Sequence, residues 1–267
     1  MFVQRSSNQL ILTSLFIMFA LAASTSPAIA QNMRMETQIF VDNQSEPTSR
    51  TVTLFDTDTV YNIFEEPRQI TVFRPPTASH AGSFIILDLE AKQRTEVSTE
   101  RIAGLMKKLN RWASEQEDEL LKFSAEPSFE KSYDEESGLL TLDSPVWNYT
   151  AATVPAEDAK ALARYRDYSD WYIRLNTMLH GTPPPGARLK LNAALAEHGV
   201  VPVEIRRAVK SETNSLRATH MFTWRLSRED RERIEEAQGY LASFNKVDNE
   251  EFLARKADRD VVRGQSE

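Results

Sequence analysis

The chain has 267 residues, with 39 acidic against 32 basic side chains, a formal net charge of −7 and no cysteine. That composition excludes disulfide scaffolds, thiolate metal sites, thiol nucleophiles and a lipid-bearing N-terminal cysteine. Its basic residues are scattered and the excess charge is acidic, which argues against nucleic acid as a partner. Lys107-Lys108 and Arg206-Arg207 are the notable basic pairs, and each falls inside an amphipathic stretch that reads as a solvated face.

Residues 1–30 read as a cleavable secretory signal peptide. Arg5 is the sole charge before Arg34, and it precedes an apolar run from Leu10 to Ala23 that is short for a bilayer span. Ser24 to Pro27 interrupt the run, and Ala28-Ile29-Ala30 places small residues at the two positions a signal peptidase admits, predicting cleavage between Ala30 and Gln31. The expected product is exported, periplasmic or extracellular in a bacterium, without stable membrane insertion once processed. Losing Arg5 makes it one unit more acidic. It retains enough chain to bury a core unaided.

From Glu36 to Val97 short apolar–polar alternations separated by turn formers predict an antiparallel meander. The strands are placed at Thr37–Val41, Thr51–Phe55, Thr59–Phe64, Gln69–Phe73, Ser83–Leu89 and Arg94–Val97, with tight turns at Asp56-Thr57-Asp58 and Glu65-Glu66-Pro67. Phe84 to Leu87 is apolar on both faces, the mark of a strand covered on each side. Ser98 or Thr99 then caps a helix in which Ile102, Leu105, Met106, Leu109, Trp112 and Ala113 recur at helical spacing, with Phe123 as its furthest extent. A second β segment covers Ser128 to Thr153, with strands at 139–142 and 146–151. Pro155 is read as the first residue of a long helix whose broad face carries Leu162, Tyr165, Tyr168, Trp171, Tyr172, Leu175 and Leu179.

Thr182-Pro183-Pro184-Pro185-Gly186 is the strongest break in the chain. A short helix to His198 follows, then strands at Val200–Val209 and Leu216–Leu226. In the last of these, Leu216, Ala218, His220, Phe222, Trp224 and Leu226 share the dry face. Ser227 to Asp230 form a near capping box for a helix to about Phe244, and Asp248 opens a last short one. The expectation is one α+β domain over 31–257, with 183–186 as its candidate sub-boundary, and a charged, disordered tail at 258–267.

No stretch carries a chemical signature. His80, His180, His198 and His220 lie in four separate elements, without HExxH or any paired spacing, so no metal site is assigned. There is no G-x-S-x-G elbow, P-loop or dinucleotide fingerprint, and eight glycines leave little material for phosphate-cradling loops. No catalytic residue and no cofactor is assigned, and the balance is against an enzyme. His220, on a dry strand face, is the one general-base candidate.

The stretch Thr51 to Phe73, a strand leading through Asp56-Thr57-Asp58 into Thr59-Val60-Tyr61-Asn62-Ile63-Phe64 and another strand, resembles the hairpins of the periplasmic lipoprotein-carrier family and its half-barrel relatives. The resemblance covers a quarter of the mature chain. It implies a curved antiparallel sheet of about nine or ten strands packed with three to four helices on its concave face, half-barrel-like, and it carries over no residue roles.

Three readings follow from these features. One is a non-catalytic binding module of the cell envelope holding an apolar ligand, a lipid or a lipoprotein, with Tyr61, Phe73, Phe222 and Trp224 as candidate lining residues. The second is a structural or protein-interaction module with an envelope protein as partner. The third is a hydrolase without a recognisable motif.

Overall fold

The computed structural model describes residues 32–252, apart from 43, 66–67, 158 and 211–214. The signal-peptide segment, its Ala30/Gln31 junction and the tail after 257 lie outside the described residues. Among the described residues the fold is α+β: one open, curved sheet of twelve strands with six helices.

The first meander runs β1 (Met33–Val41), β2 (Ser49–Asp56), β3 (Thr59–Phe64), β4 (Gln69–Arg74), β5 (Ser83–Asp88) and β6 (Gln93–Ser98), each antiparallel to the next. Helices α1 (Thr99–Ser114) and α2 (Glu119–Ala125) lead into a second meander of β7 (Glu130–Asp134), β8 (Leu139–Asp143) and β9 (Trp147–Pro155). Helices α3 (Ala159–His180) and α4 (Gly186–Glu197) precede β10 (Val200–Val209) and β11 (Leu216–Thr223). The chain then crosses to α5 (Arg228–Ser243), adds the two-residue β12 (Asn245–Lys246) parallel to β6, and makes one last turn, α6, at residues 249–252. Strand order is β12-β6-β5-β4-β3-β2-β1-β11-β10-β9-β8-β7, so the two meanders meet where β11 pairs with β1. The strands that follow the Pro-rich break lie between β9 and β1, inside the same sheet.

Cross-strand register decides which helices share a face. Directly opposed residues project to the same side, and Met35 opposes both Phe222 and Thr53, while Ile39 opposes Ala218 and Ala218 opposes Ile205. Met33, Met35, Phe55, Val60, Phe73, Phe84 and Val97 form a core with Ile102 and Met106 of α1 and with Ala161 to Leu175 of α3. Ile205, Leu140, Leu142 and Ala151 form another with Ala187, Leu191, Ala194 and Leu195 of α4. Helices α1, α3 and α4 therefore cover one face. On the other, α5 lays Ile234 and Ala237 over Val52, Leu54, Tyr61, Ile63, Val72, Ile85 and Leu87. That double cover explains why β5 is buried at four consecutive positions.

Several local expectations are overturned. The helix expected to reach Phe123 stops at Ser114, because Asp118 starts a new one, its carboxylate accepting the Leu121 N–H at 2.8 Å. The apolar stripe of α1 is wider than its buried face: Ile102, Met106 and Ala113 are buried, whereas Trp112 is 48% exposed. Pro155 closes β9 opposite Val200 instead of opening a helix; at a strand end its missing N–H costs no ladder bond, and α3 begins at Ala159. Leu226 does not continue the dry face of β11. The strand ends at Thr223, and Leu226 joins the α5 core on the far side. The capping box is complete: Ser227 Oγ accepts the Asp230 N–H at 3.1 Å, and the Asp230 carboxylate accepts the Ser227 N–H at 2.8 Å. The same buried carboxylate accepts Arg34 Nε at 3.1 Å, tying α5 to β1.

Candidate functional site

Under α1 and the N-terminal half of α3 the sheet is filled. Tyr168 packs edge-on to Phe55 at 5.5 Å, and Tyr172 stacks on Tyr168 at 5.3 Å. A buried polar row crosses the strands beneath them: Thr53 Oγ1 donates to Asn62 Oδ1 at 2.9 Å, and Asn62 Nδ2 donates to the Tyr172 hydroxyl at 3.0 Å. Burial pushes the Tyr165, Tyr168 and Tyr172 phenols upward, so all three stay neutral. This half is a closed core.

The other half is open. Between the sheet and the α3–α4 corner lies a cavity of about 480 Å³. Its floor is the row Ile39, Ala218 and Ile205, with Trp147 and Tyr149 of β9 beside it and Leu216 beyond. Its roof is Ile173, Asn176, Thr177 and His180 of α3, with Ala187 and Arg188 of α4 and Leu120 of α2 closing the side. The volume falls within the range of small-molecule sites.

Sequence explains why the space stays unfilled. Gly181, at φ +61, ends α3 in the left-handed conformation, and three prolines then forbid any further helical turn. The chain bridges to α4 through a short bent segment whose prolines line part of the cavity. Gly186 allows α4 to start hard against α2, since a Cβ there would collide with the Ser124 carbonyl and the Pro127 ring. Small floor and wall residues, Ala218 and Ala187, leave the gap between sheet and helix unoccupied.

Polar side chains around the cavity are Asn176, Thr177, His180 and Thr182, with Arg188 and Arg207. Arg188 donates from Nε to Asn192 Oδ1 at 3.1 Å, and Asn192 in turn donates to Asp170 Oδ1 at 2.8 Å. The Arg207 guanidinium lies 5.4 Å from the Trp147 ring centroid. Arg217 turns to the opposite face, 3.9 Å over the Phe40 ring and 3.7 Å from Glu204. His220 sits two residue pairs along from the Ile39–Ala218 floor, on the same face. Its Nδ1 is 2.9 Å from Thr37 Oγ1, and its shielded Nε2 has no hydrogen-bond partner among the described residues. Burial, with the nearby Arg188 charge, drives its pKa down to about 3, so the ring is neutral at physiological pH. A hydroxyl partner in place of an orienting carboxylate, and so low a basicity, are not what a general base requires. Among the described residues no group of three or more His, Asp or Glu could hold a metal ion.

Of the four residues expected to line a site, Phe73, Phe222 and Trp224 belong to the core under α1 and α3, and Tyr61 lies on the opposite face. Tyr61 is on the α5 face, its hydroxyl accepting from Gln238 Nε2 at 3.3 Å. Phe73 is buried in the filled half, stacked on Phe84 at 4.6 Å. Phe222 and Trp224 stack on each other at 5.8 Å, with Phe222 edge-on to Tyr165 at 5.5 Å. None of the four lines the cavity. The residues that do are spread over seven elements, and the legible signal among them is the Pro-rich break itself. No helix among the described residues is long and apolar enough to cross a membrane. No protein-family model matches this chain, and no curated protein is significantly similar to it in sequence.

Proposed function

We propose that the protein is an exported, non-catalytic binding protein of the cell envelope that holds an apolar ligand between its curved sheet and the α3–α4 corner. The observation that carries the reading is the cavity of about 480 Å³, floored by Ile39, Ala218 and Ile205 and walled by Trp147, Tyr149 and Ile173. Such a chamber, mostly apolar with a few convergent polar groups, is the usual form of a small-molecule site. A half-barrel that shelters acyl chains, the architecture implied by the likeness of Thr51–Phe73 to the lipoprotein carriers, is consistent with this use of the concave face.

Two measurements test it. The protein purified without detergent should take up a fluorescent fatty acid saturably at one site, and Ala218→Phe, which projects a ring into open space, should weaken that uptake at least tenfold with the fold intact. Absence of saturable uptake by the parent protein would remove the reading. Export has its own readout: mass spectrometry of the chain recovered from its host should find an N-terminus at Gln31, and an intact Met1 terminus would contradict it.

A further inference from the structure

We propose that the cavity selects an anionic amphiphile, whose carboxylate or equivalent anion is held by Arg188 while its apolar part lies against Trp147, Tyr149 and Ile205. The inference rests on the reading of this cavity as a ligand site and goes beyond it to the charge of the ligand.

Electrostatics of the wall carry the argument. In a chain with 39 acidic residues, the cavity lining contains no aspartate or glutamate among the described residues, yet it includes Arg188. Arg188 makes no ion pair among the described residues; its Nε is anchored by a neutral amide, Asn192 Oδ1, at 3.1 Å. That anchor sets the plane of the guanidinium, which also lies near the Tyr165 hydroxyl, and a guanidinium so held can offer parallel N–H donors to a carboxylate. Asn192 is itself buried at 2% exposure and held by Asp170, so the anchor is rigid. The carboxylate in this network, Asp170, reaches Arg188 only through the Asn192 amide, so an arriving anion meets a half-buried guanidinium with no direct ion pair among the described residues. The other walls offer an arriving head group little: Asn176, Thr177 and Thr182 are neutral, and Thr182 Oγ1 already donates to Thr177 Oγ1 at 3.3 Å. Trp147, Tyr149 and Ile205 of β9 and β10 offer the apolar part of such a ligand its surface.

The experiment compares three ligands of equal chain length at pH 8 by calorimetry: dodecanoate, dodecanol and dodecyltrimethylammonium, each below its micelle concentration. Dodecanoate is expected to bind at least tenfold tighter than dodecanol, with the cationic amphiphile weakest. Arg188→Gln should bring dodecanoate down to the dodecanol level and leave dodecanol unchanged. Should that variant fail to fold, salt decides with the parent protein, since the dodecanoate affinity should fall from low to high ionic strength while that of dodecanol does not. Equal binding of acid and alcohol, or an anion preference that survives in a folded Arg188→Gln, overturns the charge selection and leaves the cavity reading standing. If none of the three binds, the cavity reading falls and the charge selection falls with it.

Discussion

Replacing Phe73 by alanine is expected to lower the unfolding free energy by about 3–5 kcal/mol, the range for deleting a fully buried phenylalanine. Phe73 is 1% exposed and belongs to a row, Phe55, Val60, Phe73, Phe84 and Val97, that the register of β2 to β6 carries across the sheet under α1 and α3. Its ring stacks on Phe84 at 4.6 Å and lies 6.1 Å from Tyr168. The void cannot collapse cheaply, because its floor is a hydrogen-bonded ladder and its roof is a helix already pinned by Tyr172 to Asn62. Since domains of this kind have about 5–15 kcal/mol in total, the variant should be marginal. Urea unfolding followed by circular dichroism reads the midpoint shift. A loss under about 1 kcal/mol would mean that Phe73 faces removable space and belongs to a ligand site after all.

Acid should destabilise the protein through His220 before its carboxylates titrate. The folded-state pKa is near 3, whereas an unfolded histidine titrates near 6.5. Above pH 6.5 the ring is neutral in both states and contributes nothing to the pH dependence. Below it the unfolded chain takes up a proton that the folded site refuses, so stability falls as pH drops, until the folded pKa is reached. Between pH 6.5 and pH 5 the loss amounts to about 2 kcal/mol. Asp167, which burial pushes upward, works in the opposite sense by taking its proton first in the folded state. The diagnostic quantity is therefore the difference between the parent chain and His220→Gln, whose amide can still meet Thr37. The variant should show a flatter stability profile from pH 7 to pH 5. Parallel profiles would show that the ring is protonated freely in the folded state, and with it that the space around Nε2 is wet.

Local order in this protein is written in short stretches. The six strands of the first meander are legible to within a few residues because each alternation is bounded by residues suited to turns. Thr57 adopts φ +45 in the Asp56-Thr57-Asp58 turn, and Ser98 Oγ accepts the Arg101 N–H where a helix start is expected. The capping box at Ser227 is equally plain. Strand β7 is missed as a separate strand because Glu130-Lys131-Ser132-Tyr133-Asp134 shows no apolar alternation; it exists as the edge partner of β8. Strand β12 is two residues long and has no pattern at all. The extent of the apolar stripe on α1 is legible, but which part of it is buried is not.

Chain order, turn chemistry and alternation thus carry the α+β class, the meanders and nearly every helix, since those properties depend on neighbours in sequence. The joining of the meanders does not. It needs β11 to reach β1 across more than 170 residues, with His220 opposite Thr37, and the free energy for that pairing comes from packing distributed over the whole helical layer. The candidate site is legible to a lesser degree still, because a cavity is a place where side chains fail to meet. Arg188 shares a cavity with Ala218 and Ile205 because Gly181 and three prolines end α3 and Gly186 lets α4 press on α2. No periodicity encodes that arrangement, and the aromatic residues that seemed fit to line a site, Tyr61 and Phe73 above all, are large enough to be consumed by the two cores on either side of the sheet.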